Sequence, residues 1–557
     1  MHPVHRKIAL LATLSSLAAA TACGGTEDPP SDPRGNPPGK VAATIGAVEW
    51  SDCRERRLSM ACATVDVPLD WNDADSARIS FHVRRLSATT DTSLGQVWLL
   101  VGGPGSSGRG LLDVAPYFAG LGFDVYVPDY RGVGRSTPLA CADDDGRQTS
   151  LACIDELWDL YREGLRFFST TDAAMDIGRT IEALRAPGEK VFLYGMSYGT
   201  YVGNRYLTLF PDQADGAILD GICPATGCNI HQDLNLNLVA KRVFDTCGQD
   251  PGCSAKLTSD PWAKLADLQA RLSSGHCRDF AGSQGAQALS TILAYSVDNR
   301  YLVPLALASA YRLDRCEPED VEAVQNLLHT LAPGVFDLAQ NATYSDFLYQ
   351  AILLSEFWEE GLTSEDLRDE VASLVVAPGY GYTLAAMYED WLMPLYETPA
   401  ELYRWADVSI PVLLLNGTLD AQTTAWDLEQ AGITDAFSRP GQTYVEVPYG
   451  AHGILFEGSA QGGQTTCGFH MIQGFLEDPM RPIDTSCLAG LDTLDLEGSG
   501  LPSEHMFGTP SLWENIGVKA LTAAPDPAAE AAFERAKERA AAPRPGFQAV
   551  RDRIAAP

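Results

Sequence analysis

A serine, an aspartate and a histidine, each just beyond an apolar run, stand in an order that serves nucleophilic acyl transfer. Val191 to Tyr194 reads as a strand and ends in Gly195-Met196-Ser197-Tyr198-Gly199, a G-x-S-x-G pattern with a helix-compatible segment behind it. A serine on so sharp a strand-to-helix turn holds a strained backbone, which requires small residues two positions away on either side. The turn lifts the hydroxyl above a sheet and aims the next helix's N–H groups at the place where negative charge develops. Such a serine needs a base, and the base needs an orienting acid. Val412 to Leu415 is followed by Asn416-Gly417-Thr418-Leu419-Asp420, and Thr443 to Val447 by Pro448-Tyr449-Gly450-Ala451-His452-Gly453. In this reading Ser197 attacks a carbonyl carbon, His452 takes and returns the proton, and Asp420 fixes the imidazole tautomer.

Each residue also has a plainer use. Asp420 could cap a helix beginning at Ala421, and His452 is one histidine among nine. Order, strand-end placement and the Gly-Ala-His-Gly setting together favour catalysis. His470 sits inside a helical pattern and Asp220 ends an earlier strand, so both read as structural. The oxyanion requires two backbone donors: the N–H of Tyr198, and that of Gly103 in the loop Gly102-Gly103-Pro104-Gly105-Ser106-Ser107-Gly108. Glycines let that backbone approach a substrate closely. The loop lacks the Gly-Lys-Ser/Thr close of a phosphate loop. A second loop, Asp129-Tyr130-Arg131-Gly132-Val133-Gly134-Arg135-Ser136, carries Asp and Arg side chains suited to bracing the floor of the site.

The elements around these residues follow a strand-helix rhythm. Residues 63–68 and 78–86 alternate as half-buried strands do, and 96–101, 123–127, 190–194 and 216–219 are more continuous apolar strands. Ala174, Ile177, Ile181 and Leu184 recur at helical spacing. The alternation predicts an α/β class with a mostly parallel sheet covered on both faces. The rhythm breaks near Pro224, helical patterns such as 319–331 and 346–360 take over, and strands return at 412–415 and 443–447. The expected organisation is a signal peptide over 1–22, a tether over 23–45, a core over 46–224 and a helical insertion over 225–405. A second core part then covers 406–500 and a tail 501–557, with a helical Ala/Glu/Arg-rich stretch near 527–542.

Composition narrows the partners. The 557 residues are 45% hydrophobic and 9% aromatic, with formal net charge −33 and pI near 4.5. That balance argues against nucleic acid or an anionic membrane surface. His5, Arg6 and Lys7 precede the apolar run Ile8 to Ala22, too short to span a bilayer comfortably, so a cleaved signal is expected and no transmembrane helix in the mature chain. Ala20-Thr21-Ala22-Cys23 is similar to a bacterial lipobox, with Ala20 where leucine is usual, so Cys23 is a candidate lipidation site and plain secretion the alternative. Twelve further cysteines, an even number in an exported chain, read as disulfides; proximity favours 53/62, 141/153, 223/228, 247/253, 277/316 and 467/487 and leaves the connectivity open. No cysteine–histidine spacing implies a metal, and no cofactor is expected.

Val-Gly-Gly-Pro-Gly-Ser-Ser-Gly, Asp-Tyr-Arg-Gly-Val-Gly-Arg-Ser, Gly-Met-Ser-Tyr-Gly-Thr, the Gly417/Asp420 segment and Gly-Ala-His-Gly resemble the tripeptidyl-aminopeptidase and prolyl-aminopeptidase branch of the α/β-hydrolases. The segment Cys467 to Cys487 is similar to the C-terminal region of the tripeptidyl members. The resemblance spans most of 50–490 and implies an eight-stranded, mostly parallel sheet with a large helical lid. It also implies a serine exopeptidase acting on free N-termini of peptides, proline-linked ones among them. Such an enzyme must hold an ammonium group at a fixed distance from Ser197, which a desolvated carboxylate on the lid does well. Glu356 matches the acidic lid position, beside Glu359 and Glu360, although Leu354 stands where relatives carry cysteine; the bland alternative is a solvated acidic helix face. Two further readings stay open: an esterase or amidase acting on small acyl substrates, and a catalytically idle ligand-binding lipoprotein.

Overall fold

The structure, a computed structural model, describes residues 44–518 except 142–150, 338–343, 394, 457–465, 492 and 500. The expected leader, most of the tether, Cys23 and the 527–542 helix lie outside the described residues. One sheet organises the rest. Its strands are β1 (Ser51–Glu55), β2 (Leu58–Pro68), β3 (Arg78–Leu86), β4 (Gln96–Leu100), β5 (Asp124–Asp129), β6 (Val191–Met196), β7 (Gly216–Asp220), β8 (Val412–Gly417) and β9 (Gln442–Val447). They lie in the order β1-β2-β3-β5-β4-β6-β7-β8-β9. From β5 across to β9 every neighbouring pair is parallel, while β1, β2, β3 and β5 pair antiparallel.

Burial follows from that topology. In β2, Val65 and Val67 face the core while Thr64 and Asp66 face out, the alternation of a half-covered strand. β4, β7 and β8 are buried at every position, as parallel strands with helices on both faces must be. The sheet has nine strands where eight were expected. The addition is β1, Ser-Asp-Cys-Arg-Glu, too polar and exposed to read as a strand. It holds its edge through antiparallel pairing with β2 and the Cys53–Cys62 disulfide. All six expected disulfides are present.

Between β7 and β8 the described elements are all helical. These helices bury a second core, including Leu236, Phe244, Leu293 and Leu307, distinct from the core under the sheet. Phe507, Leu512 and Trp513, from beyond the second core part, join it. There buried Arg312 donates to the carbonyls of Ser511, Leu512 and Glu514 and to Asn515 Oδ1. The expected helix 346–360 is shorter and broken. It runs Asp346–Ile352, widens into a π-type turn over Leu353–Phe357 and stops at an extended Trp358. No helix among the described residues is long and apolar enough to cross a membrane.

The Asp and Arg side chains of the Asp129–Ser136 loop brace the floor, as expected. Asp129 takes both arms of Arg84 (2.9 and 3.0 Å), the Ser107 hydroxyl (2.6 Å) and the amides of Gly108 and Arg135. It thereby ties the glycine loop after β4 to β3 and β5. Arg131 clamps Asp176 with two bonds of 2.8 and 2.7 Å and also donates to the carbonyls of Pro68, Leu69 and Phe167. Both partners are essentially sealed from solvent. Removing one member strands the other, which costs more than the pair is worth against an apolar replacement. Asp176→Ala should therefore lose about 3–5 kcal/mol of stability, read as a lowered denaturant midpoint at unchanged m; a loss indistinguishable from zero contradicts the bracing role.

Candidate active site

The geometry of Ser197, the candidate nucleophile, is set by close backbone contact. Ser197 sits at φ 58°, ψ −130° between β6 and the helix Tyr198–Leu209. A Cβ on Gly199 would lie 2.0 Å from the Leu100 carbonyl oxygen, so only glycine lets the helix descend onto β4 there. As the first residue of that helix, Tyr198 presents an N–H with no partner inside the helix. Across from it a Cβ on Gly102 would come within 2.8 Å of Ser197 Cβ and 3.3 Å of its Oγ, so the Gly102-Gly103 backbone lies directly on the serine. Gly103 has φ 131°, which brings its own conformational demand. Both expected oxyanion donors therefore belong to segments flanking Ser197.

Asp420 and His452 meet directly. His452 Nδ1 lies 2.9 Å from Asp420 Oδ2. A carboxylate only accepts, so Nδ1 carries a proton in the neutral and the charged ring alike, and Nε2 is the nitrogen that gains or loses one. Asp420 Oδ1 accepts the amides of Gln422 (2.9 Å) and Thr423 (2.8 Å), and Oδ2 accepts the Thr423 hydroxyl (2.8 Å). Asp420 thus holds its own turn, but the helix begins only at Ala425 and is capped by Thr424. A cap at Ala421, the plainer reading, does not arise. Thr423, also 3.4 Å from His452 Nδ1, was not singled out from sequence; a hydroxyl three residues past a strand-end acid was the available signal.

His452 Nε2 is buried with no hydrogen-bond partner, and no hydrogen bond joins it to Ser197 Oγ in this conformation. The two nevertheless flank one corner. Ser197 N donates to the Asp220 carbonyl (2.9 Å), and a Cβ on the next residue, Gly221, would be 3.0 Å from the His452 ring. Serine–base contacts are commonly long in a free enzyme and tighten with substrate. Asp220 is structural, as expected: its carboxylate accepts the amides of Ile454 (2.7 Å) and Leu455 (2.9 Å) and the Tyr194 hydroxyl. His470 pairs on the surface with Asp484, away from this corner.

A residue that sequence gave no hint of, Asp298, reaches the site from the end of the helix Gly285–Val297. It accepts the Ala421 amide (3.2 Å) and the Gln422 side chain (2.9 Å), bracing the loop that carries Asp420. Burial, and then the Asp420 charge, push Asp298 up to about 6. Burial alone would lower the His452 ring, but the Asp420 carboxylate overrides it, with Asp298 and Asp220 adding, and holds it up at about 9.

Glu356 does not lie on a solvated face. The π-type turn swings it inside, where Oε1 accepts the Thr170 amide and the Tyr396 hydroxyl, each at 2.8 Å. Oε2 has no hydrogen-bond partner and lies 3.8 Å from Arg205. Thr170 in turn bonds the Tyr198 hydroxyl (2.8 Å), which links Glu356 to the residue after the nucleophile. Glu359 remains exposed, on His231. One His/Cys/Glu cluster, Glu55, Cys62 and His82, has metal-like spacing among the described residues, but its sulfur is in a disulfide.

Residues 97–253 match the family model described as the alpha/beta hydrolase fold. The serine protease Hip1 of Mycobacterium tuberculosis is 26% identical over 256 residues, which cover 40% of this chain and 48% of that protein. The tripeptidyl aminopeptidase of Streptomyces lividans is 28% identical over 288 residues, covering 42% and 52%. Carboxylesterase B of Mycobacterium tuberculosis is 34% identical over 137 residues, 22% of this chain and 25% of that one. The chain spans about half the length of the first two of these relatives. Asp298→Asn keeps an oxygen for the Ala421 amide while removing a charge that raises His452. Neutral imidazole then persists to lower pH, so the acid limb of the kcat/KM profile should move down by about one pH unit; superimposable profiles would remove Asp298 from the base's surroundings.

Proposed function

On this α/β-hydrolase scaffold, distantly related to peptidases and esterases, we propose a serine hydrolase that forms an acyl-enzyme on small ester or amide substrates. The observation that carries it is the Asp420–His452 pair, tautomer fixed, beside a serine held at positive φ under two backbone donors. In the reaction the Ser197 hydroxyl gives its proton to His452 Nε2 as Oγ attacks the carbonyl carbon. The tetrahedral oxyanion takes the N–H groups of Gly103 and Tyr198, donors aimed before charge develops. His452, stabilised as a cation by Asp420, hands the proton to the leaving group, and water repeats the sequence on the acyl-enzyme.

A second reading, removal of short peptides or single residues from free N-termini, draws support from Glu356 and from the tripeptidyl aminopeptidase likeness. The carboxylate has one oxygen unbonded and stands two links from Tyr198. Against it, Glu356 is sealed, and Arg205 already offsets its charge. The esterase or amidase reading is therefore preferred. The idle lipoprotein has least support, since all three catalytic positions are filled.

Short-chain nitrophenyl esters set beside aminoacyl, prolyl and tripeptidyl fluorogenic amides separate these readings. Esters should turn over, and Ser197→Ala should lower kcat by at least about a thousandfold; unchanged turnover in that variant removes the serine mechanism. Glu356→Gln should alter KM equally for free-amine and N-blocked substrates. A KM rise confined to free amines would reverse the preference in favour of the exopeptidase. Residues 1–22 are assigned as an export leader and Cys23 as its lipid acceptor. Metabolic labelling with a fatty-acid analogue should mark the wild-type chain and not Cys23→Ala; no label on either leaves plain secretion.

A further inference from the structure

A cavity of about 660 Å³ lies between the segment after β7, the helical insertion and the helix Ala425–Gln430. Ser197, Asp420 and His452 are not among its lining residues. It adjoins them nonetheless. Pro224, on its wall, is three residues past the Gly221 that touches His452, at most about 11 Å of chain. Asp427, which also lines it, is three residues beyond the Thr424 cap.

The lining leaves hydrogen-bond acceptors unmet. Asn235 is 3% exposed, and its Nδ2 donates to Asp427 Oδ2 at 2.8 Å. That bond fixes the amide's orientation and leaves Oδ1 buried with no partner. Glu370 gives Oε2 to His231 Nδ1 at 2.7 Å, and its Oε1 is likewise buried and unpartnered. His231 takes Glu359 on its other nitrogen at 3.2 Å. The Glu370 hydrogen bond, against burial, holds this ring above its ordinary value. Glu359 and Glu370 thus share the His231 ring, Asp427 lines the same cavity, and Arg404 stands at its exposed rim. Four aromatic side chains, Phe357, Tyr403, Trp405 and Trp426, also line it, beside the turn Pro224 to Ile230. Buried acceptors without donors are costly to maintain, and ring faces hold a cation and an apolar stem together.

We propose that this cavity binds an organic monocation, an ammonium or guanidinium group on an apolar stem. The stem belongs either to a basic substrate side chain or to a free amine. Binding itself stands independently of the serine hydrolase reading; only the substrate side-chain source rests on that reading.

The experiment is calorimetric titration of the full-length protein with 4-phenylbutylamine, alongside 4-phenylbutanol and 4-phenylbutyrate. The amine should saturate one site at least about tenfold more tightly than the alcohol, with no carboxylate binding. Glu370→Gln should weaken it by about tenfold, and Trp426→Ala, on an exposed ring, by about threefold with the melting temperature unchanged. Equal affinity for amine and alcohol, or wild-type affinity in both variants, overturns the site. Inhibition by the amine of a lysine-bearing ester, with a short uncharged ester unaffected, identifies the substrate side chain as the source. Equal modulation of both esters identifies a free amine. Ser197→Ala should bind the amine like wild type, so a protein that binds the amine but hydrolyses nothing defeats the hydrolase reading alone.

Discussion

The structure depends on one backbone contact that no side chain could survive. The helix behind Ser197 descends onto the end of β4 until Gly199 touches the Leu100 carbonyl, and this forces Ser197 into positive φ. A non-glycine residue held there stores on the order of 1–3 kcal/mol of strain. The parallel pairing of β4 with β6, Leu100 opposite Gly195, keeps that strain from relaxing. Neighbouring elements take their positions from this point. The Asp220 main-chain oxygen holds the serine's amide, while its carboxylate holds the two amides just past His452. Ser197 and the segment after His452 are thus fastened to the same residue, one through its backbone and one through its side chain.

Much of this was legible in the sequence because local pattern and tertiary role coincide. Continuous apolar runs became fully buried parallel strands, and residues at their carboxyl ends came together as the candidate site, the usual place for function in open α/β sheets. What escaped notice depends on contacts far apart in the chain or on departures from regular period. β1 is polar at nearly every position and is a strand only because β2 and a disulfide hold it. The 346–360 periodicity reads as one helix, and nothing in it announces the wide turn that buries Glu356. Asp298 lies more than a hundred residues before Asp420, and no local signal connects them.

The helical insertion is joined to the catalytic layer by polar contacts as well as packing. Glu356 reaches Thr170, Asp298 reaches the acid loop, and Asn204 on the helix behind the serine bonds both the Arg404 carbonyl and the Ala406 amide. Asp233 accepts the amides of Gly379 and Gly381 within the insertion itself. Acidic groups converge where the lid meets the core. This concentrates part of the chain's large negative charge around the histidine and in the adjoining aromatic cavity, instead of spreading it evenly over the surface.

The order of elements along the chain also gives the fold a chronology. Strands β1 to β7 and the serine turn leave the ribosome first, then nearly two hundred residues whose described elements are all helical. Only afterwards come β8 and β9, which add to one edge of a sheet whose other seven strands precede them. Asp420 and His452 follow those last two strands, and the Ser511–Asn515 segment that closes over Arg312 comes later still. A growing chain therefore carries Ser197 for about 250 residues of synthesis before His452 is made. The corner where Ser197, Asp420 and His452 come together is complete only when the sheet's final edge is laid down.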